Sequence, residues 1–321
     1  MALNETVTHK AADTIIAASS GMKRRGLMGS VGKAAALGAL AVGGVSAVST
    51  VASVPAQAQT IGDSDILNFA LQLEYLEAEY YLRALGQPGL AATGNAAGTG
   101  KLGTVSGGSA VPFKTAFVAQ AAANIAADEQ AHVLFLRGAL GSAAVAEPTI
   151  DLSSGTSAAP GAWTKLALAA GLIVPGQTFN PYADEVSFLL GAFVFEDVGV
   201  TAYGGAAALI SNKTYLSAAA SILAVEAYHA ATVRTLLGII GAGTAVQAIS
   251  NLRGALSGAA GAGANDDGGI VQPNGTYNVL PADSNALTYR RTTSQVLNIA
   301  YGGGLASGYL FFPNQLNGLI S

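Results

Sequence analysis

The 321-residue chain has no cysteine, which removes disulfides, thiolate metal sites and iron–sulfur clusters together. Charge is scarce as well: charged residues are 11% of the total and apolar types 51%, so most of the sequence is available for burial and the chain is not disordered by composition. A formal net charge of −4 offers no basic stripe for a phosphate backbone, so no nucleic-acid partner is expected. Histidine is the third scarcity, with only His9, His132 and His229. After residue 58 every long apolar run is broken by glycine or carries a candidate ligand, and no stable membrane span is expected there. The glycine-rich "GAGTAV" and "GGSA" follow no strand and are not phosphate loops.

What is present begins with a leader-like N-terminus. Met22 is followed by Lys23, Arg24 and Arg25, then a mild Ala/Gly/Val stretch that includes Lys33, then Ala56-Gln57-Ala58, a small-x-small cleavage pattern. The adjacent arginines resemble a twin-arginine signal. Residues 1–58 are therefore expected to be a signal peptide, with 1–21 lying upstream of the true start if that start is Met22. Five basic and two acidic side chains fall within 1–58, against ten basic and seventeen acidic beyond it, so removal would leave a distinctly acidic protein. The expected location is outside the bacterial cytoplasm, in the periplasm, the cell envelope or the medium.

Beyond the leader, four apolar-rich segments read as helices: 63–86 from an Asp/Ser cap to Gly86, 112–141 with Pro112 in its first turn, 181–210 after Pro181, and 214–240 from Thr214. At 24–30 residues each would be roughly 36–45 Å long, which favours an antiparallel bundle. A Gly/Ala/Ser/Thr-rich stretch, 87–111, separates the first two, and the short "SNK" joins the last two. Between the pairs runs a long crossing, 142–180, with a short helical candidate around Trp163. Two hairpins joined by one long crossover are what a ferritin-type bundle requires. The bundle is expected over 61–241, with 242–321 a glycine-rich extension packed on it and carrying a short fifth helix near 293–301.

Chemistry enters with "ADEQAHVLFL" and "LAVEAYHAATV", which place Glu129 three residues before His132 and Glu226 three before His229. Residues at i and i+3 share a helix face and can reach one ion. With nine glutamates in the chain, chance would precede both histidines in this way roughly once in a thousand sequences. The two halves align further: Glu74 falls on Glu196, Tyr81 on Tyr203 and Arg137 on Arg234, each Tyr seven residues after its Glu. Carboxylates in such apolar surroundings cost several kcal/mol each unless a positive charge neutralises them. A pair of metal ions would supply it. With both later histidines used, a Ser/His/Asp arrangement has no base.

One glutamate on each of two helices plus Glu-x-x-His on each of the other two resembles the dinuclear carboxylate site of ferritin-like proteins, a pattern general to that class of bundle. More narrowly, "LNFALQLEYLEAEYYLRA", "ADEQAHV" and the late "QVLNIAYG…FFPNQLNG" resemble the ferritin-like group that includes plant desiccation-related proteins and secreted bacterial relatives, over residues 61–321. The resemblance implies an all-α fold, Glu129 and Glu226 bridging two metals, Glu74 and Glu196 as terminal ligands, and His132 and His229 ligating one metal each. Tyr81 and Tyr203 are candidate donors to those ligands, or ordinary core aromatics. Glu77 and Glu79 compete with Glu74, and Glu77 is the alternative first-helix ligand; the half-to-half alignment sets it opposite Gly199 and favours Glu74. Asp128, Asp184 and Asp197 read as solvated or capping residues, and Arg137 and Arg234 as salt-bridge formers off the metal face.

Imidazole with carboxylate suits Fe ahead of Mn, or Zn in a redox-silent site. Three functions are in view. One is an oxidase or peroxidase using O2 or H2O2 with a reductant that the sequence does not name, another a manganese catalase, and the third a non-enzymatic stress or desiccation protein of the envelope. Self-association into a homo-oligomer is left open.

Overall fold

In the computed structural model the described residues are 60–257, 268–271, 275–303 and 310–321. The expected leader, 1–58, lies outside them. Seven α-helices are found among them: α1 (Asp63–Ala84), α2 (Ala116–Leu140), α3 (Ala162–Ala169), α4 (Glu185–Ala206), α5 (Lys213–Ile240), α6 (Gly243–Leu256) and α7 (Thr293–Tyr301). The fold is all-α, and α1, α2, α4 and α5 are the four bundle helices.

Each boundary has a local cause. The Asp65 carboxylate accepts from the Gly62 amide at the start of α1, which leaves Asp63 free to bind the amides of Ser211 and Asn212 ahead of α5. Asp184 caps α4 by accepting from Val186 and Ser187, and Asn212 does the same for α5 through Thr214 and Tyr215. α2 begins at Ala116 instead of at Pro112, because the amides of Lys114 and Thr115 are turned towards the Glu185 carboxylate of α4. The cap of α5 is likewise Asn212, ahead of the expected Thr214, and α4 starts four residues after Pro181.

The hairpins are antiparallel. Asn68 near the start of α1 bonds Ala143 and Val145 just past the end of α2, while Val111 ahead of α2 bonds Ala84 at the end of α1. α1 packs along α2 and α4 along α5. Nearly every face of α1 and α4 is buried, so both are core helices; α2 and α5 each bury one stripe. By length and composition α4 and α5 could each cross a membrane, but each carries a buried glutamate at its centre, Glu196 or Glu226.

Two features go beyond the sequence reading. The 87–111 and 142–180 segments are stitched by a parallel pair, β1 (Val105–Gly107) with β2 (Ile150–Leu152), Val105 opposite Ile150. Asp151 of β2 accepts from the Ala162 amide at the start of α3, which seats the fully buried Trp163 against Tyr80, Phe195 and Phe311. The extension also holds a 14-residue helix, α6, which buries Val246, Ile249, Arg253 and Leu256.

The extension is fastened by buried arginines. Arg234 on α5 donates to Asp197 and to the carbonyls of Gly268, Gly269 and Asn278. Arg253 on α6 reaches the same Asp197 and lies 4.2 Å over the Phe193 ring. Gly205 lets the chain cross close to α4, since a Cβ there would lie 1.8 Å from the Arg291 carbonyl oxygen. The tail motif pins itself to α1 through Gln72 Nε2 and the Asn317 carbonyl, 2.8 Å apart.

Candidate metal centre

The register of the four helices decides what meets inside. On α1, Glu74, Glu77 and Tyr81 fall at i, i+3 and i+7 of one stripe, and on α4 Glu196, Gly199 and Tyr203 do the same. α1 and α4 run antiparallel, so Tyr81 donates to Glu196 while Tyr203 donates to Glu74. α2 supplies Glu129 and His132, and α5 supplies Glu226 and His229. All six acid and imidazole candidates are buried, the most exposed being His132 at 8%.

They form two groups whose donor atoms lie within 4.8 Å of one another: Glu74, Glu129, His132 and Glu226, and Glu129, Glu196, Glu226 and His229. Glu129 and Glu226 are common to both. His132 Nδ1 lies 3.2 Å from Glu74 and 3.5 Å from Glu129, and His229 Nδ1 lies 2.8 Å from Glu129 and 3.4 Å from Glu196. The imidazole centroids are 6.2 Å apart.

His132 Nδ1 and Glu74 are hydrogen-bonded, but the other contacts leave polar atoms unsatisfied. Both carboxylate oxygens of Glu129 and of Glu226, one of Glu196, and His229 Nδ1 are buried without a hydrogen-bond partner among the described residues. Buried acceptors are normally satisfied, and each that is not costs about 1–3 kcal/mol, more when charged. Converging oxygens and a nitrogen of which so many lack a partner are what cations between them would satisfy. The buried Glu/His groups could therefore bind metal ions, and an O/N donor set without sulfur fits Fe or Mn.

The electrostatics agree. Burial first, then the neighbouring Glu129 charge, pushes Glu74 up to about 8, and burial raises Glu226 well above the ordinary range. Burial alone would raise Glu129 too, but the two imidazoles beside it win and hold it low. Burial would depress the imidazoles, yet Glu129 with Glu74 lifts His132 to about 10, and Glu129 with Glu196 lifts His229 to about 12. Protons favoured on the two imidazoles and on the raised carboxyls thus offset the negative charge of the cluster. Burial raises Tyr81 and Tyr203 as well, which keeps both phenols neutral donors.

The structure adds to the sequence reading or departs from it at four residues. Glu77, the alternative first-helix ligand, belongs to neither donor group but is buried beside the cluster, raised well above its usual range by burial and then by the Glu129 charge. The gap left by Gly199 admits it. A Cβ on Gly199 would lie 2.2 Å from Glu226 Oε2 and 3.3 Å from Glu77 Oε1. Asp128, expected to be solvated or capping, is solvent-exposed and in addition lies 3.1 Å from His229 Nε2. Its position immediately before Glu129 was the available signal: on a helix it faces the neighbouring α5, one step round from that ligand candidate. Asp197 is buried between Arg234 and Arg253 rather than solvated, because the unexpected α6 covers it. Arg137 forms no ion pair among the described residues and instead donates to the Tyr75 hydroxyl and the Ala97 carbonyl.

Residues 62–239, which span α1 to α5, match the family model of the ferritin-like domain. The chain belongs to that family. This ferritin-like protein is 30% identical over 258 residues to desiccation-related protein PCC13-62 of Craterostigma plantagineum, covering 73% of this chain and 76% of the relative. It is 29% identical over 279 residues to ferritin-like catalase Nec2 of Nesocodon mauritianus, covering 81% and 85%. No solved structure matches it significantly. Together these relatives place it in a ferritin-like, desiccation-related group with a candidate dinuclear metal site.

Proposed function

We propose that the protein is a dinuclear metal enzyme that consumes peroxide or dioxygen with an external reductant, with Fe the preferred metal and Mn the alternative. Glu74 and His132 would hold one ion and Glu196 and His229 the other, with Glu129 and Glu226 between them. The observation that carries this reading is the set of buried, partnerless oxygens on the two glutamates common to both groups. When bound, the metal pair supplies two-electron exchange with an oxygen species.

The chain's own part is positioning. Tyr81 and Tyr203 each occupy one oxygen of Glu196 and Glu74, which leaves the other oxygen of each carboxylate directed at the cluster. Where a metal took the place of the inward proton, Asp128 would accept from His229 Nε2–H and leave the Nδ1 lone pair of the neutral ring facing inward. Leu76, Phe195 and Val198 are buried and give the space beside Glu77 an apolar lining.

A second reading, catalase, has one specific support: the relative from Nesocodon mauritianus is a ferritin-like catalase. Oxygen release on adding peroxide alone would favour it, and peroxide loss that requires a reductant would favour the first. The primary test is elemental analysis of the wild type beside Glu129→Ala, purified alike. About two Fe or Mn per chain, lost in the variant, is the expected result; unchanged content would end the assignment. The same reading places the protein outside the cytoplasm, supported by Arg24-Arg25 and Ala56-Gln57-Ala58. A mature N-terminus at Gln59 is the expected sequencing result.

A further inference from the structure

On the outer side of His229, between α2 and α5, lies a cleft of about 190 Å³. Phe117, Gln120, Asn124 and Asp128 line it from α2, and Tyr228 and Thr232 from α5. His229 is its floor. The two rings are 66% and 71% exposed, an unusual placement for large aromatic side chains that the bundle core could have used. No lysine or arginine lines the cleft, and its one carboxylate, Asp128, lies 3.1 Å from His229 Nε2.

We propose that this cleft docks the reductant, and that the reductant is a small neutral phenol of the hydroquinone type. The inference rests on the peroxide-consuming reading above. The volume suits one six-membered ring rather than a nucleotide, and Phe117 and Tyr228 provide faces for offset or edge stacking. Gln120, Asn124 and Asp128 offer hydrogen-bond acceptors to ring hydroxyls. An anionic donor would meet the exposed Asp128 carboxylate, with no lysine or arginine in the lining and the buried His229 ring already paired to that carboxylate, in a protein whose acidic residues outnumber its basic ones. A ring seated here is separated from the cluster by one imidazole: Nε2 meets Asp128 at the cleft, and Nδ1 lies 2.8 Å from Glu129.

The stoichiometry closes. Hydroquinone gives up two electrons and two protons and becomes quinone; hydrogen peroxide accepts two of each, its O–O bond breaks, and two waters form. The electrons pass inward by way of His229, and the ring protons leave to the water of the open cleft.

The test separates this claim from the metal assignment. Hydroquinone is titrated anaerobically into the metal-free full-length protein and followed by saturation-transfer NMR. Saturable binding is expected, weakened about tenfold or more in Phe117→Ala/Tyr228→Ala and retained in Tyr228→Phe. Both side chains are mostly exposed, so the double variant removes no core. In the metal-loaded protein the double variant should raise KM for hydroquinone and leave KM for peroxide unchanged. Absence of saturation, equal affinity in the double variant, or equal binding of hydroquinone sulfonate would overturn the proposal, even if peroxide turnover stands. Ring binding that persists in Glu129→Ala while metal is lost locates any failure in the centre instead.

Discussion

Tyr81 on α1 gives its phenolic proton to Glu196 on α4, and the reciprocal bond runs from Tyr203 on α4 to Glu74 on α1. Each half of the bundle thus orients a carboxylate belonging to the other. Removing one hydroxyl frees a glutamate to rotate without opening a large cavity. Tyr81→Phe should weaken metal binding about tenfold with the helix content unchanged. Chelator competition measures this, and unaltered affinity would show that the phenol is only packing.

Asp128 makes the two histidines unequal. His229 has a carboxylate on its outer nitrogen, whereas the equivalent of Asp128 in the α5 repeat is Val225, and no carboxylate reaches His132 Nε2 among the described residues. Asp128→Ala should weaken one metal equivalent about tenfold and spare the other. A stepwise metal titration would then split into two phases; two equally weakened equivalents would contradict the assignment.

Gly199 is required for space. Its added Cβ would sit 2.2 Å from a Glu226 oxygen, so Gly199→Ala must displace that carboxylate or part α4 from α5. A loss of about 1–3 kcal/mol in stability is expected, with less metal retained. Chemical denaturation and elemental analysis report both; a variant with wild-type metal content and stability would show that the cluster relaxes freely.

Glu147 carries a pH dependence remote from the centre. It is buried beside Glu79, whose carboxylate already holds the Leu90 amide at 2.6 Å and Arg83 at 2.7 Å. Burial, then the Glu79 charge, pushes Glu147 up to about 8, despite Arg83 and Arg137 nearby. An acid whose folded value is raised binds its proton more tightly when folded, so its stabilisation is complete below the unfolded value near 4.5 and is lost as pH rises through 8. The wild type should lose about 1–3 kcal/mol between pH 5 and pH 9 by this route, and Glu147→Gln should flatten that slope. Parallel melting curves for the two proteins across that range would refute it.

The inward residues were legible because they obey the helix period: Glu74 and Tyr81, or Glu129 and His132, can share a face only in one register. The internal alignment then matched α1 to α4 and α2 to α5. What stayed hidden depends on contacts between distant segments. Nothing local marks Val105 as the neighbour of Ile150, and the glycines around α6 masked a stripe of Val246, Ile249 and Leu256 that finds its partner only once the bundle exists. Asp197 followed from that omission, since without α6 it has no roof. The place of Glu77 stayed open for a different reason: its burial depends on an absent side chain at Gly199, on another helix.

Arg234 lies five residues beyond His229, and Asp197 directly follows Glu196, so the clamp on the C-terminal extension is rooted beside two of the candidate ligands. Trimming the chain to residues 62–239 would strip that guanidinium of the carbonyls of Gly268, Gly269 and Asn278 and leave most of its buried N–H donors without acceptors in the wall of the vessel. A minimal bundle cut to the family boundary would be a cracked container, and its silence in an assay would say nothing about the intact protein.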